Sequence, residues 1–107
     1  MLTFNLKKQW YEKIRSGEKT IEYREVKPYW TKRIQKELSV WLKSIWLEDW
    51  ARSLPRIECV LRLGYTKRYM LARITKIKVV DGKDTDLAID AQVYAIHLAD
   101  VREVGIC

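Results

Sequence analysis

The amino-acid sequence predicts an α+β domain: a small, mostly antiparallel β-barrel of about five to six strands with helices on its outside. Three observations carry this reading. Apolar and polar residues alternate in short runs at the start of the chain and through its second half, the period of a half-buried strand. Between these runs, apolar residues recur at helical spacing in two stretches. Only four Gly and two Pro occur in 107 residues, so the elements are tightly joined. Strands separated by few residues pair antiparallel.

Leu2, Phe4 and Leu6 alternate with Thr3 and Asn5 and read as a strand. Lys7 to Arg15 reads as a helix with Trp10 and Ile14 on one face, which places Trp10 in the core. Gly17 is positioned to end that helix, because glycine tolerates the left-handed backbone of a C-cap. Lys19 to Val26 is a second strand. Ile21 and Tyr23 share one of its faces, Glu22 and Arg24 the other, and Lys19 stands at the entrance. Pro28 breaks this strand and fits the first turn of a helix. Residues 31–53 continue as helix, in one piece or two. Leu38, Trp41, Leu42, Ile45, Trp46 and Trp50 form its stripe, and Pro55 marks its end. Ile57, Cys59, Leu61 and Leu63 then alternate as a strand, and Gly64-Tyr65-Thr66-Lys67 turns the chain. Tyr69 to Val80 is a long strand that stops at Asp81-Gly82, and Val93 to Leu98 is the last.

A hydrophobic fraction of 48% is too high for a disordered chain. The length suits one domain, residues 1–107, with a single core. No apolar run is long enough to span a membrane. The N-terminal residues lack the basic, apolar, small order of a signal peptide, so a cytoplasmic protein is expected. Cys59 and Cys107 have no framework of further cysteines, and reduced thiols are expected. The net charge is +7. Residues 1–80 carry 19 basic and 8 acidic side chains; residues 81–107 carry 2 and 6. A basic body fits a polyanionic partner, most simply nucleic acid, and equally a solubilising surface.

The charged strand is the richest stretch: Ser16-Gly17-Glu18-Lys19-Thr20-Ile21-Glu22-Tyr23-Arg24. Lysine offers a compact ammonium, and arginine a planar fork for phosphate or a carbonyl. A carboxylate between them fixes their direction and can itself take or give a proton. Desolvated, Lys19 becomes a candidate base or nucleophile. A solvated cross-strand ion-pair network explains the same residues. Lys19-Thr20 is not a phosphate loop, because Glu18 precedes the lysine where glycine is required.

Two further clusters stand out. Tyr29 and Trp30 lie amid Lys27, Lys32 and Arg33, a combination that either stacks on unpaired bases or packs a helix on the barrel. Tyr65, Lys67 and Arg68 share a turn and form either a second cleft wall or a solvated hairpin tip. His97 is the only histidine and reads as a packed strand residue. One histidine and two isolated cysteines make no zinc site. Asp81, Asp84, Asp86 and Asp90 lack the order of a calcium loop and read as a solvated loop with a helix N-cap. No metal and no cofactor is therefore expected.

The stretch Gly17-Glu18-Lys19-Thr20-Ile21-Glu22-Tyr23-Arg24 resembles the G-x-K-x-x-E-x-R signature of the ASCH family, small domains of the PUA-like superfold. Phe4-Asn5-Leu6 before an aromatic-bearing helix is similar to the family's opening, and Tyr94-Ala95-Ile96-His97-Leu98 to its closing strand. Gly64-Tyr65 sits where small members often carry a Gly-Tyr turn. The whole looks like a small stand-alone member of bacterial or phage type, with residues 31–54 as a variable helical insert. The resemblance implies a PUA-like barrel whose motif-lined cleft binds RNA or a modified nucleoside. Lys19, Glu22, Arg24, Tyr29, Trp30, Tyr65, Lys67 and Arg68 are the binding residues expected on this reading. Some members are enzymes, either amidases that remove an acetyl group from modified cytidine or ribonucleases. For such a member Lys19 and Glu22 are the catalytic candidates. The amidase hydroxyl position falls on Glu22, Thr20 lies two residues earlier, and the amidase's distant glutamate has no clear counterpart. A third expectation is a protein-interaction module working through the tryptophan-rich insert.

Overall fold

The computed structural model describes residues 1–47 and 57–105. The elements run β1 (Leu2–Leu6), α1 (Lys8–Arg15), β2 (Ile21–Glu25), α2 (Pro28–Leu47), β3 (Ile57–Leu63), β4 (Tyr69–Asp81) and β5 (Gln92–Gly105), with a 3-10 turn at Gly82–Asp84. This is a small α+β fold. The side-chain packing of Trp41, Leu42, Ile45, Trp46 and Trp50, the helix end at Pro55, and the thiol of Cys107 lie outside the described residues.

One five-stranded sheet has the order β1-β3-β4-β5-β2. β1 pairs with β3 in parallel, and the remaining pairs are antiparallel. The long β4–β5 pair changes register near Tyr69/Met70, Leu71/Arg73 and Ile74/Lys76. Extra residues in one strand of a pair bend it and increase its twist. The sheet accordingly curls into a half-barrel, with β1 and β2 as its free edges. One irregularity falls near Asp100, whose φ is +53°. Aspartate is among the few residues that tolerate this region. Its carboxylate accepts a 2.8 Å bond from Arg73 Nε. The bend lets β5 continue past Leu98, where the alternation had suggested its end.

The concave side holds the core. Leu2, Phe4 and Leu6 enter it from β1, Cys59 and Leu61 from β3, Met70, Ala72 and Ile74 from β4, and Ile96 and Leu98 from β5. Helix α1 supplies Tyr11 and Ile14, and α2 supplies Ile34. Tyr11 is fully buried, whereas Trp10 is only half-buried. This corrects the assignment of Trp10 to the core. The Tyr11 hydroxyl donates to Glu103 at 2.7 Å, and Arg68 donates to the same carboxylate at 2.7 Å. Burial first, and then the Glu103 bond, push the Tyr11 hydroxyl well above the ordinary tyrosine range.

Two glycines have defined work. Gly17, with φ at +86°, reverses the chain after α1, and the next turn is closed by a 3.0 Å bond from Lys19 N to Lys13 O. Gly82 is buried, and a Cβ there would lie 2.6 Å from the Ala91 carbonyl oxygen. That closeness lets residues 82–91 fold back on themselves. Gly82 N donates to Ala91 O at 2.8 Å, and Ile89 N to Gly82 O at 3.3 Å. Asp81 caps the short turn by accepting from Lys83 N.

Candidate functional site

The charged strand faces inward where the half-barrel is open. Its alternation sends Glu22 and Arg24 to the concave side, opposite Ile96 and Tyr94 of β5. Glu22 is 5% exposed and is the one buried charged residue among those described. Burying a carboxylate is costly without partners, and Glu22 has three. Arg24 Nη2 donates to its Oε2 at 3.0 Å, the Tyr23 amide donates to its Oε1 at 3.0 Å, and Lys19 Nζ lies 3.8 Å from Oε1.

Lys19 is equally enclosed. Its ammonium donates to Asp86, from the loop that Gly82 closes. It also lies 5.1 Å from the centre of the Trp10 ring and 4.9 Å from that of Tyr23. Arg24 spans the gap between the sheet's free edges. Its Nη2 donates to the Asn5 carbonyl of β1 at 2.9 Å. Its guanidinium carbon lies 5.3 Å from the Phe4 ring and 5.2 Å from the Trp30 ring. Arg24 Nε is buried and has no acceptor among the described residues. An unsatisfied donor of this kind is unfavourable until some oxygen or nitrogen reaches it.

These groups line a cavity of about 380 Å³ between β1, β2 and the start of α2. That volume lies within the range of small-molecule sites. Trp10, Tyr23 and Trp30 form its aromatic lining. Four cations (Lys7, Lys19, Arg24 and Lys27) face three carboxylates (Glu22, Glu25 and Asp86). The near balance suits a ligand with one negative charge and a polar edge better than a polyphosphate. Lys27 pairs with Glu25 at 3.2 Å on the exposed rim.

The structure therefore brings together Lys19, Glu22, Arg24 and Trp30 from the set expected on sequence grounds. Tyr29 is exposed and meets Trp30 edge-on, with ring centres 4.9 Å apart, but it lies outside this cavity. Tyr65 is 95% exposed at the β3–β4 hairpin, Lys67 is exposed beside it, and neither lines the cavity. Arg68 is held by Glu103 and lies over the Tyr11 ring, away from the cleft. His97 is half-buried, and burial together with Lys76 and Lys78 lowers its pKa. Thr20 is exposed and does not line the cavity.

Sequence reasoning missed Trp10, Tyr23, Lys7 and Asp86 as cleft residues. The signal for Tyr23 was its place between Glu22 and Arg24. Nothing local marks Asp86, which meets Lys19 across 67 residues. Among the described residues, no group of three or more His, Cys, Asp or Glu could hold a metal ion, and no helix is long and apolar enough to cross a membrane. No family model, curated protein or solved structure matches the chain, so the functional argument rests on this cleft.

Proposed function

We propose that this protein is an ASCH-type, PUA-like domain that binds RNA or a nucleotide in the cleft between β1 and β2. The observation that carries the reading is the buried Lys19–Glu22–Arg24 clasp beneath an aromatic-lined cavity. Trp10, Tyr23 and Trp30 offer ring faces to a base, and base–aromatic stacking contributes about 1–3 kcal/mol per base. Glu22 and Arg24 present an acceptor and donors to the polar edge of a base. The unsatisfied Arg24 Nε takes a carbonyl or phosphate oxygen. Lys7 and Lys27 at the rim hold the phosphate.

The test is quenching of tryptophan fluorescence by nucleoside monophosphates and by short single-stranded RNA, in wild type, Lys19→Gln and Trp10→Leu. Each variant is first checked for a native circular dichroism spectrum. Both are expected to weaken binding about tenfold, the equivalent of one lost stacking or charge contact. Folded variants that bind as tightly as wild type would remove the cleft from consideration.

One observation favours a second reading, hydrolysis of a modified nucleoside. Asp86 supplies an acid beside Lys19 that the local sequence pattern lacked. On this reading Glu22 is the proton acceptor, and the protein releases acetate from acetylated cytidine. Glu22→Gln should then abolish turnover while leaving binding measurable. Wild type that binds the nucleoside and leaves it intact would refute the enzymatic reading alone.

A further inference from the structure

A second feature adjoins the cleft on the first two turns of α2. Tyr29, Lys32, Arg33 and Lys36 are spaced i, i+3, i+4 and i+7, which puts them on one helical face. All four are exposed. They line a surface hollow of about 490 Å³ in which Glu37 is the one acid. Among the described residues no carboxylate pairs with Lys32 or Lys36.

The stripe is built as well as charged. The Arg33 guanidinium lies over the Tyr29 ring, its carbon 3.5 Å from the ring centre. Arg33 Nη1 also donates to the Tyr29 carbonyl at 3.2 Å. This fixes a flat ring-and-guanidinium platform 56% open to solvent at the tyrosine. The platform meets the cleft directly, because Tyr29 packs edge-on against Trp30, the wall of the cavity. From Tyr29 to Lys36 the helix advances about 10 Å, at about 1.5 Å per residue. The near-neutral cleft and the unpaired cations beside it therefore form one continuous path.

We infer that the ligand is a single-stranded polynucleotide, with one nucleotide in the cleft and its neighbours running along the Tyr29–Lys32–Arg33–Lys36 face of α2. This rests on the nucleotide-binding reading above and narrows it from a free nucleoside to a polymer. A base stacks on the Tyr29–Arg33 platform, and Lys32 and Lys36 neutralise the adjoining phosphates. The cleft selects and the helix face adds length-dependent affinity.

The experiment compares wild type with the triple variant Lys32→Gln, Arg33→Gln, Lys36→Gln. Glutamine keeps helix propensity close to that of lysine and arginine, so α2 is preserved. The probes are a short fluorescein-labelled single-stranded RNA and the common nucleoside monophosphates, over a range of salt. Wild type is expected to bind the RNA at least about tenfold more tightly than any monophosphate. In the triple variant that advantage disappears, and the slope of log affinity against log salt falls by about 2, near 0.7 for each lost phosphate contact. Monophosphate binding stays unchanged. If wild type binds RNA no better than a monophosphate, or the triple variant keeps the full RNA affinity, the polymer inference is overturned while the cleft stands. If neither probe binds wild type at any salt, the cleft reading falls and takes this inference with it.

Discussion

Replacing Glu22 by glutamine isolates the charge at the centre of the clasp. The side chain keeps its size and an acceptor for the Tyr23 amide, but its attraction for two cations is gone. At 3.0 Å from Arg24 and 3.8 Å from Lys19, the Coulomb attractions at an effective dielectric of about 20 are about 5 and 4 kcal/mol. Desolvation of the buried carboxylate offsets most of this. Losing one member of a buried pair still typically removes about 3–5 kcal/mol. Here Lys19 retains Asp86, and Arg24 retains the Asn5 carbonyl and a side chain 22% open to water. The net loss should be about 2 kcal/mol, toward the low end for a broken buried pair. With a urea slope near 1.5 kcal/mol/M, suitable for a small domain, the unfolding midpoint at pH 7 falls by about 1.3 M. Urea titration followed by circular dichroism reads this directly. An unchanged or higher midpoint would refute the reasoning, since it would mean that the carboxylate is held in place at a net energetic loss.

Three other outcomes follow from the same geometry. The Tyr11 hydroxyl bond and then Arg68 hold the Glu103 carboxyl below its usual range, so its contribution to stability is complete above the unfolded value and is lost as pH falls through the folded one. Thermal melts should show Glu103→Gln less stable than wild type at neutral pH, and the gap should close in acid; a gap constant with pH would dismiss the linkage. Burial, then Glu22 and Glu58, push the Cys59 thiol up to about 12, so a thiol reagent at pH 8 should leave Cys59 unmodified by mass spectrometry in the native protein and modify it in urea; labelling of the native protein would contradict its burial. Gly17→Ala meets no atom within 4 Å but must hold φ at +86°, so it should lower the unfolding free energy by about 1 kcal/mol, and an unaffected urea midpoint would show that the backbone there can rearrange.

Much of the fold is local and therefore legible. Gly17 ends α1, Pro28 opens α2, and Asp81-Gly82 ends β4, because each depends on the backbone chemistry of one or two residues. Period-two alternation also placed Glu22 and Arg24 on one face, the basis of the site. Helical spacing could not choose between Trp10 and Tyr11, since they stand four and three residues before Ile14 and either pairs with it. Tertiary packing made the choice, with Tyr11 reaching Glu103 and Trp10 left to line the cleft. The passage of β5 beyond Leu98 was hidden for a related reason, because an irregularity at Asp100 interrupts the alternation on which strand recognition depends. Asp86 was illegible altogether, since its role depends on a loop folded around Gly82 and a partner far away in sequence.

The open edge of the half-barrel has a dynamic consequence. β4 and β5 are laddered on both sides, whereas β1 and β2 are each laddered on one side only, and a single arginine links them across the gap. Opening this seam breaks side-chain contacts but leaves the central ladder intact, so it is the lowest-energy local excursion the fold offers. Amide hydrogen exchange should therefore be fastest, among the strands, in β1 and β2 and slowest in the middle of β4. A molecule lodged against Arg24 touches both edges at once and acts as the missing rung, so it should slow exchange at the seam while leaving the centre of β4 unchanged.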